Sequence, residues 1–146
     1  MNLSKIEIAL LHVRGGPAQG AEEMKEQYQN SERDAVEYII SLYITAARDA
    51  SADRLRSVFS DEASICGFLG PEKFAGPIEM LIAFVDGSEP SPNISEQVRS
   101  IYISEGIAVA VLDVQNWGDH SFEDILTFVK IGHDWKITSK AFRLVS

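Results

Sequence analysis

One carboxylate, Asp124, stands inside an otherwise apolar stripe in which Phe122, Asp124, Leu126 and Phe128 alternate with their neighbours. The run ends at Gly132-His133, and the chain returns as Asp134-Trp135-Lys136-Ile137-Thr138-Ser139-Lys140-Ala141-Phe142. Two alternating runs joined by a short Gly-containing turn predict a β-hairpin. Strict alternation across that turn places Phe122, Asp124, Leu126 and Phe128 on the same face as Trp135, Ile137 and Ala141, and the bulk of those groups marks it as the core face. A carboxylate there loses hydration, and its pKa rises unless it is paired. That is the property of a general base for carbon-acid chemistry. The competing role is structural: buried carboxylates are usually met by a backbone amide, a tyrosine hydroxyl or an arginine. The same alternation puts Lys140 on the opposite face, so a direct Lys140–Asp124 pair requires a bulge. Lys136 and Lys140 are therefore expected in solvent or against a neighbouring subunit.

A second candidate is His120, which follows Asp119 in the segment Asn116-Trp117-Gly118-Asp119-His120 between two strands. A histidine beside an aromatic wall can bind or protonate a ligand, although an exposed loop position is the favoured explanation. His120 and Asp124 are four strand positions apart, about 13 Å by strand rise, so no dyad is implied. His12 and His133 are isolated, and the three histidines give no metal-ligand spacing. Tyr38, Tyr43, Phe59, Phe68, Phe84, Trp117, Trp135 and Phe142 are candidates to line a pocket for a flat ligand. Aromatics at such spacings also serve simply as core. Cys66, the single cysteine, excludes an internal disulfide and is expected to be an inert thiol. Neither Gly15-Gly16 nor Gly118 belongs to a phosphate-cradling motif.

These residues must be positioned by a chain of 146 residues with 22 acidic against 13 basic side chains, a net charge of -9. A surface of that sign repels phosphate backbones, which argues against nucleic acid as a partner. The apolar run over residues 6–13 is too short to span a bilayer, and no membrane partner is expected. Single-cysteine usage fits a reducing, cytoplasmic location. Residues 1–30 read as an N-terminal arm or extension, broken at Gly15-Gly16-Pro17 and polar over 21–29, with Met24 an alternative start. Residues 31–146 read as one domain.

Within that domain Ser31-Glu32-Arg33-Asp34 resembles a capping box. Val36, Ile39, Ile40, Tyr43, Ile44 and Ala47 then recur at the spacing of one face of a long helix, widened by Tyr38 and Leu42. Ser51 or Asp53 can cap a short second helix through Leu55, Val58 and Phe59. A short strand over 63–69 precedes Gly70-Pro71, and Gly76-Pro77 opens a third helix that buries Ile78, Leu81, Ile82 and Val85. Residues 86–93 form a loop by composition. Period two follows: a strand through Val98, Ile101 and Ile103, a central strand over 107–114 apolar on both faces, and the final hairpin. Helices first and antiparallel strands last is an α+β pattern, with helices packed on one face of a curved sheet.

That layout resembles the nuclear transport factor 2-like superfamily, in which a cone-shaped, bent antiparallel sheet wraps a long first helix and leaves a pocket at its open end. The likeness is greatest to its lumazine-binding branch. It rests on Asp49-Ala50-Ser51-Ala52-Asp53-Arg54-Leu55-Arg56-Ser57-Val58-Phe59, on Phe122, Asp124 and Leu126, and on Trp135-Lys136-Ile137 with Lys140-Ala141-Phe142, and it spans roughly 31–144. Gly132-His133 stands where that branch usually has Asp-Gly. The branch name implies a pteridine-like ligand, and the wider superfamily includes isomerases, dehydratases, SnoaL-like polyketide cyclases and scaffolds without chemistry, so fold alone does not fix function. Three expectations follow. The first is a small-molecule-binding protein with an aromatic-lined pocket for a planar, mostly apolar ligand of unknown identity, anchored by Asp124. The second is a cofactor-free isomerase, dehydratase or cyclase with Asp124 as base and Tyr38 or His120 as its second polar group. The third is an interaction module with a filled cone. No metal or cofactor is called for. A homodimer is expected through the outer sheet face, where Ile125, Val129, Ile131, Phe142 and Leu144 would form an apolar stripe.

Overall fold

The structure, a computed structural model, describes residues 17–146. The apolar run over 6–13, His12 and the Gly15-Gly16 break lie outside the described residues. Three helices and one sheet follow: α1 Pro17–Arg48, α2 Ala52–Val58, β1 Phe59–Leu69, β2 Glu72–Pro77, α3 Glu79–Asp86, β3 Ser95–Ser104, β4 Ile107–Trp117, β5 His120–Ile131 and β6 Asp134–Leu144. Among the described residues no helix is long and apolar enough to cross a membrane.

α1 runs without interruption through Ser31-Glu32-Arg33-Asp34, so that quartet does not start a helix. The preceding segment is made of good helix formers, and Glu32 spends its carboxylate on tertiary contacts instead of the local backbone. Its Oε1 accepts from Lys130 Nζ at 2.7 Å and its Oε2 from Trp135 Nε1 at 3.0 Å. One stripe of α1, Val36, Ile40, Tyr43, Ile44 and Ala47, is fully buried. Ile39 and Leu42 pack on its flanks. Tyr38 does not widen the stripe: two residues from Val36 and from Ile40 is about 200° around the helix, and the ring is 62% exposed. α2 starts as its sequence predicts, with Ser51 accepting from the Arg54 amide.

The six-stranded sheet has the order β2-β1-β6-β5-β4-β3. β3 to β6 form an antiparallel meander, and β1 joins its β6 edge in parallel. β1 is longer than the expected strand over 63–69 and leaves α2 directly at Phe59. β2 was not legible as a strand. It folds back on β1 with Pro77 opposite Ser64, and α3 begins only after Ile78. Pro77 ends an edge strand, where a missing amide donor costs nothing, and so does not open the helix.

The β5–β6 hairpin closes on Gly132-His133 as predicted, with Ile131 opposite Asp134. Its register then shifts. Phe128 pairs with Ile137 while Thr127 pairs with Ser139, so Thr138 is an extra residue on β6. The bulge is held on the outer face, where Thr127 Oγ1 lies 2.8 Å from Thr138 Oγ1 and 2.5 Å from Ser139 Oγ. One inserted residue reverses every side chain beyond it. Lys140 therefore turns inward to 4% exposure, and Ala141 turns out. Phe142 and Leu144, expected on the outer stripe, turn inward as well. Ile125 and Ile131 remain exposed on the outer face, with Val129 half-buried. An exposed ion-pair ladder crosses the same face: Arg99 meets Asp113 and Glu123, and Arg143 meets Glu123.

Thr127→Val removes both hydroxyl contacts that hold the bulge. We expect a loss of roughly 1–2 kcal/mol in urea unfolding, at about 1 kcal/mol per net hydrogen bond. An unchanged midpoint and slope would show that the bulge does not depend on them.

Candidate functional site

The inward turn at Lys140 assembles a buried polar cluster from three elements. Tyr43 on α1 donates its hydroxyl to Asp124 Oδ2 on β5 at 2.7 Å. Lys140 Nζ on β6 donates to the same Tyr43 oxygen at 2.7 Å and stands 3.7 Å from Asp124 Oδ2. Tyr43 is thus a bridge through which the ammonium meets the carboxylate, rather than by a direct hydrogen bond. Asp124 is fully buried, and among the described residues its Oδ1 accepts no hydrogen bond. Burial, then the Asp124 charge, pushes the Tyr43 hydroxyl well above its ordinary value, so it stays protonated. Burial pulls Lys140 below its ordinary value, and the nearby Asp124 charge opposes that shift without cancelling it.

Aromatic faces cage the ammonium. Lys140 Nζ lies 4.4 Å from the Trp117 ring centroid, 5.2 Å from that of Tyr43 and 5.6 Å from that of Phe142. Such contacts compensate part of the hydration a buried cation gives up. Trp117 is aimed by a distorted end of β4. Asn116 there has φ +60°, and the Gly118 amide donates to buried Ser91 Oγ at 2.8 Å. Phe142 lies against Gly67 of β1, where any Cβ would overlap its ring. The glycine is therefore required by the seat of Phe142.

Lys140, Trp117 and Phe142 lie on the wall of a pocket of about 580 Å³ at this end of the sheet. Leu69, Phe74, Phe84, Phe122 and Leu144 continue the wall, and the loop residues Ser88–Ser91, with His120 at the start of β5, complete it. The lining is apolar apart from Lys140, His120, Glu89 and the two serines. A volume of this size accepts a ligand of two or three fused rings, and the cone is not filled by its own side chains. Among the described residues the only side-chain hydrogen bond of Lys140 is the one to Tyr43, leaving two ammonium N–H groups for a ligand.

The sequence candidates separate accordingly. Asp124 faces inward as expected and lies behind the pocket wall, on which Lys140 stands. Phe84, Trp117 and His120 do line the pocket. Tyr43 sits one layer behind it, Phe59 packs edge-on against Tyr43, and Trp135 is buried against Glu32. Tyr38 and Phe68 are exposed elsewhere on α1 and on the outer face of β1. His120 packs against Phe122 and makes no hydrogen bond to Asp124. Cys66 is exposed. Among the described residues no group of His, Cys, Asp and Glu is placed to hold a metal ion. Sequence reasoning missed Lys140, Phe74, Phe122 and Leu144 as wall residues; Phe142, a pocket candidate there although strict alternation also set it on the outer stripe, does line the wall. The available signal was the hydroxyl pair Thr138-Ser139, which sits opposite Thr127 and lets a strand bulge outward.

A long helix inside a bent six-stranded sheet, with a pocket at the open end, defines a nuclear transport factor 2-like protein. The chain belongs to the family described as "Putative lumazine-binding", whose model matches residues 31–143. It is 29% identical over 120 residues to aldolase FrzH of Cladobotryum sp, a match covering 82% of this chain and 96% of that one. Among solved structures it is similar to an NTF2-like protein of unknown function from Methylobacillus flagellatus, with TM-score 0.76 and 26% identity over 80% of this chain and 94% of the other. Another such protein, from Shewanella baltica, matches with TM-score 0.74 and 25% identity over 80% and 95%.

Lys140→Met strands the Asp124 carboxylate beside a lone hydroxyl, and we expect it to lose roughly 3–5 kcal/mol of unfolding free energy. Adding Asp124→Asn to it should cost less than the sum of the single changes, with coupling of about 1–3 kcal/mol in a double-mutant cycle. Strict additivity would contradict the pairing.

Proposed function

We propose that the protein takes a planar, mostly apolar carbonyl compound into this pocket and performs cofactor-free carbon-acid chemistry on it, of the enolisation or aldol kind. The observation that carries this reading is Lys140: a buried ammonium on an apolar wall, with N–H groups that no acceptor among the described residues uses. Such a donor grips a carbonyl oxygen and stabilises the negative charge that grows on it as an enolate forms, an effect magnified in a dry site. Tyr43 and Asp124 hold the ammonium in place from behind. His120, on the same wall, is the candidate to take a proton from the far side of the ligand. The similarity to a protein named an aldolase supports the reaction class. A pteridine of the kind the family description names is also planar and carries carbonyl groups, so it fits the same wall.

The test is cleavage of a fluorogenic naphthyl β-hydroxyketone, with binding of lumazine and of aryl ketones followed by calorimetry. Turnover is expected, falling about 100-fold or more in Lys140→Met and about 10- to 100-fold in His120→Ala. Saturable, Lys140-dependent binding with no turnover would favour a ligand-binding protein without chemistry. That outcome has its own motive, since His120 is exposed and no contact ties it to Lys140. Neither binding nor turnover would remove both.

We also propose a homodimer through the outer sheet face, supported by exposed Tyr102, Ile107, Ile125 and Ile131. Ile125→Glu should then convert a sedimenting dimer to monomer, and a monomeric parent protein would sink the idea.

A further inference from the structure

Resting on the carbonyl-binding reading, we propose that Lys140 is a nucleophile that condenses with the ligand carbonyl to form an imine, with Tyr43 and Asp124 as its proton relay. Lysine in this position offers more than charge. An arginine could grip an oxyanion from the same wall but could not attack carbon. The amine is poised where attack is feasible, on the pocket wall with an apolar surface around it, the setting that activates lysine nucleophiles.

An ammonium cannot attack, so a proton must leave Nζ first. The cluster supplies the route. Nζ passes a proton to Tyr43 Oη at 2.7 Å while Tyr43 passes its own to Asp124 Oδ2, also at 2.7 Å. The ion pair becomes a neutral amine and a neutral acid without change of net charge. In water this exchange is strongly unfavourable. In a fully buried site the charged pair has lost its hydration, which narrows the gap. Asp124 is placed to take that proton, because its Oδ2 already accepts from the Tyr43 hydroxyl.

The step balances. The Nζ lone pair forms the C–N bond, and the carbonyl π pair moves to oxygen. The oxygen then departs as water, carrying the two protons the amine loses, and a C=N bond remains. No oxidant, reductant or metal is needed. Protonated, the imine draws electrons more strongly than the parent carbonyl, so α-proton loss or cleavage of a neighbouring C–C bond becomes easier. This places Tyr43 and Asp124 in the chemistry although neither lies on the pocket wall. It also accounts for a lysine held to its carboxylate through a hydroxyl rather than directly.

The test uses benzoylacetone, a planar aryl diketone that condenses with reactive amines to a stable conjugated enaminone. The full chain is incubated with it and examined by intact mass and peptide mapping, with binding followed in parallel by calorimetry. The expected result is one adduct per chain, of the mass of benzoylacetone less one water, on the peptide containing Lys140. It should be absent in Lys140→Arg, and its formation should slow at least tenfold in Tyr43→Phe. The mapping is made on the unaltered chain, so the result does not depend on a variant folding. Saturable binding without an adduct would overturn the imine and leave the carbonyl-binding reading intact. An adduct on other lysines, or one that persists in Lys140→Arg, would overturn it too. Neither binding nor adduct would overturn both readings together.

Discussion

One unpaired residue, Thr138, sets the character of the site. β6 carries one residue more than β5 can pair with, and the surplus is absorbed between Ile137 and Ser139. Before it, Trp135 and Ile137 face the helix and complete the core. Beyond it, Lys140, Phe142 and Leu144 face the pocket. Without the insertion Lys140 would stand in solvent, Ala141 would occupy its inward place, and Asp124 would be left with Tyr43 alone. The pocket would also lose one aromatic wall, because the seat of Phe142 over Gly67 depends on the same reversal. The hydroxyls of Thr127, Thr138 and Ser139 meet on the outer surface at no cost in buried polarity, so the device that builds the site sits outside it.

How far all this was legible in the sequence follows from the range of each interaction. The meander, the hairpin turn at Gly132-His133 and the Ser51 cap are set by neighbours in the chain, and each stands where its pattern placed it. The inward direction of Asp124 was also legible, being fixed by alternation on a strand with no irregularity between Phe122 and Thr127. Lys140 was not, because alternation gives the wrong face once a bulge intervenes, and hydroxyl residues at 138–139 are common in regular strands too. The false helix start at Ser31 has the same origin. Glu32 is held by Lys130 and Trp135, about a hundred residues away along the chain, and nothing local announces that. β2 escaped notice because its six residues have few apolar groups and pair at an edge. The pocket was foreseeable as a consequence of the fold, but most of its wall was not, since Tyr38, Tyr43, Phe59, Phe68 and Trp135 belong to the core or the outer surface.

The same hairpin provides an internal comparison for the meaning of the buried lysine. Among the described residues two lysine–carboxylate pairs involve β5 and β6: Lys130 of β5 with Glu32 of α1, and Lys140 of β6 with Asp124 of β5, the latter bridged by Tyr43 of α1. Near the hairpin tip Lys130 touches Glu32 directly at 2.7 Å, and Trp135 satisfies the second carboxylate oxygen. Both oxygens are used, and that arrangement fits a cross-brace between helix and sheet. At the pocket end the separation is 3.7 Å, a tyrosine hydroxyl intervenes, and one oxygen of the carboxylate is left without a donor. As a brace this is the poorer solution. Burying two charges costs several kcal/mol each, and the cost is recovered only when the remaining lone pairs and protons are satisfied. An apolar pair of similar volume often holds two neighbouring strands together at least as well. Stability therefore does not account for the second pair. Its distinguishing features are those the first pair lacks: a pocket beside the lysine, ammonium N–H groups without an acceptor among the described residues, and a hydroxyl through which a proton can pass.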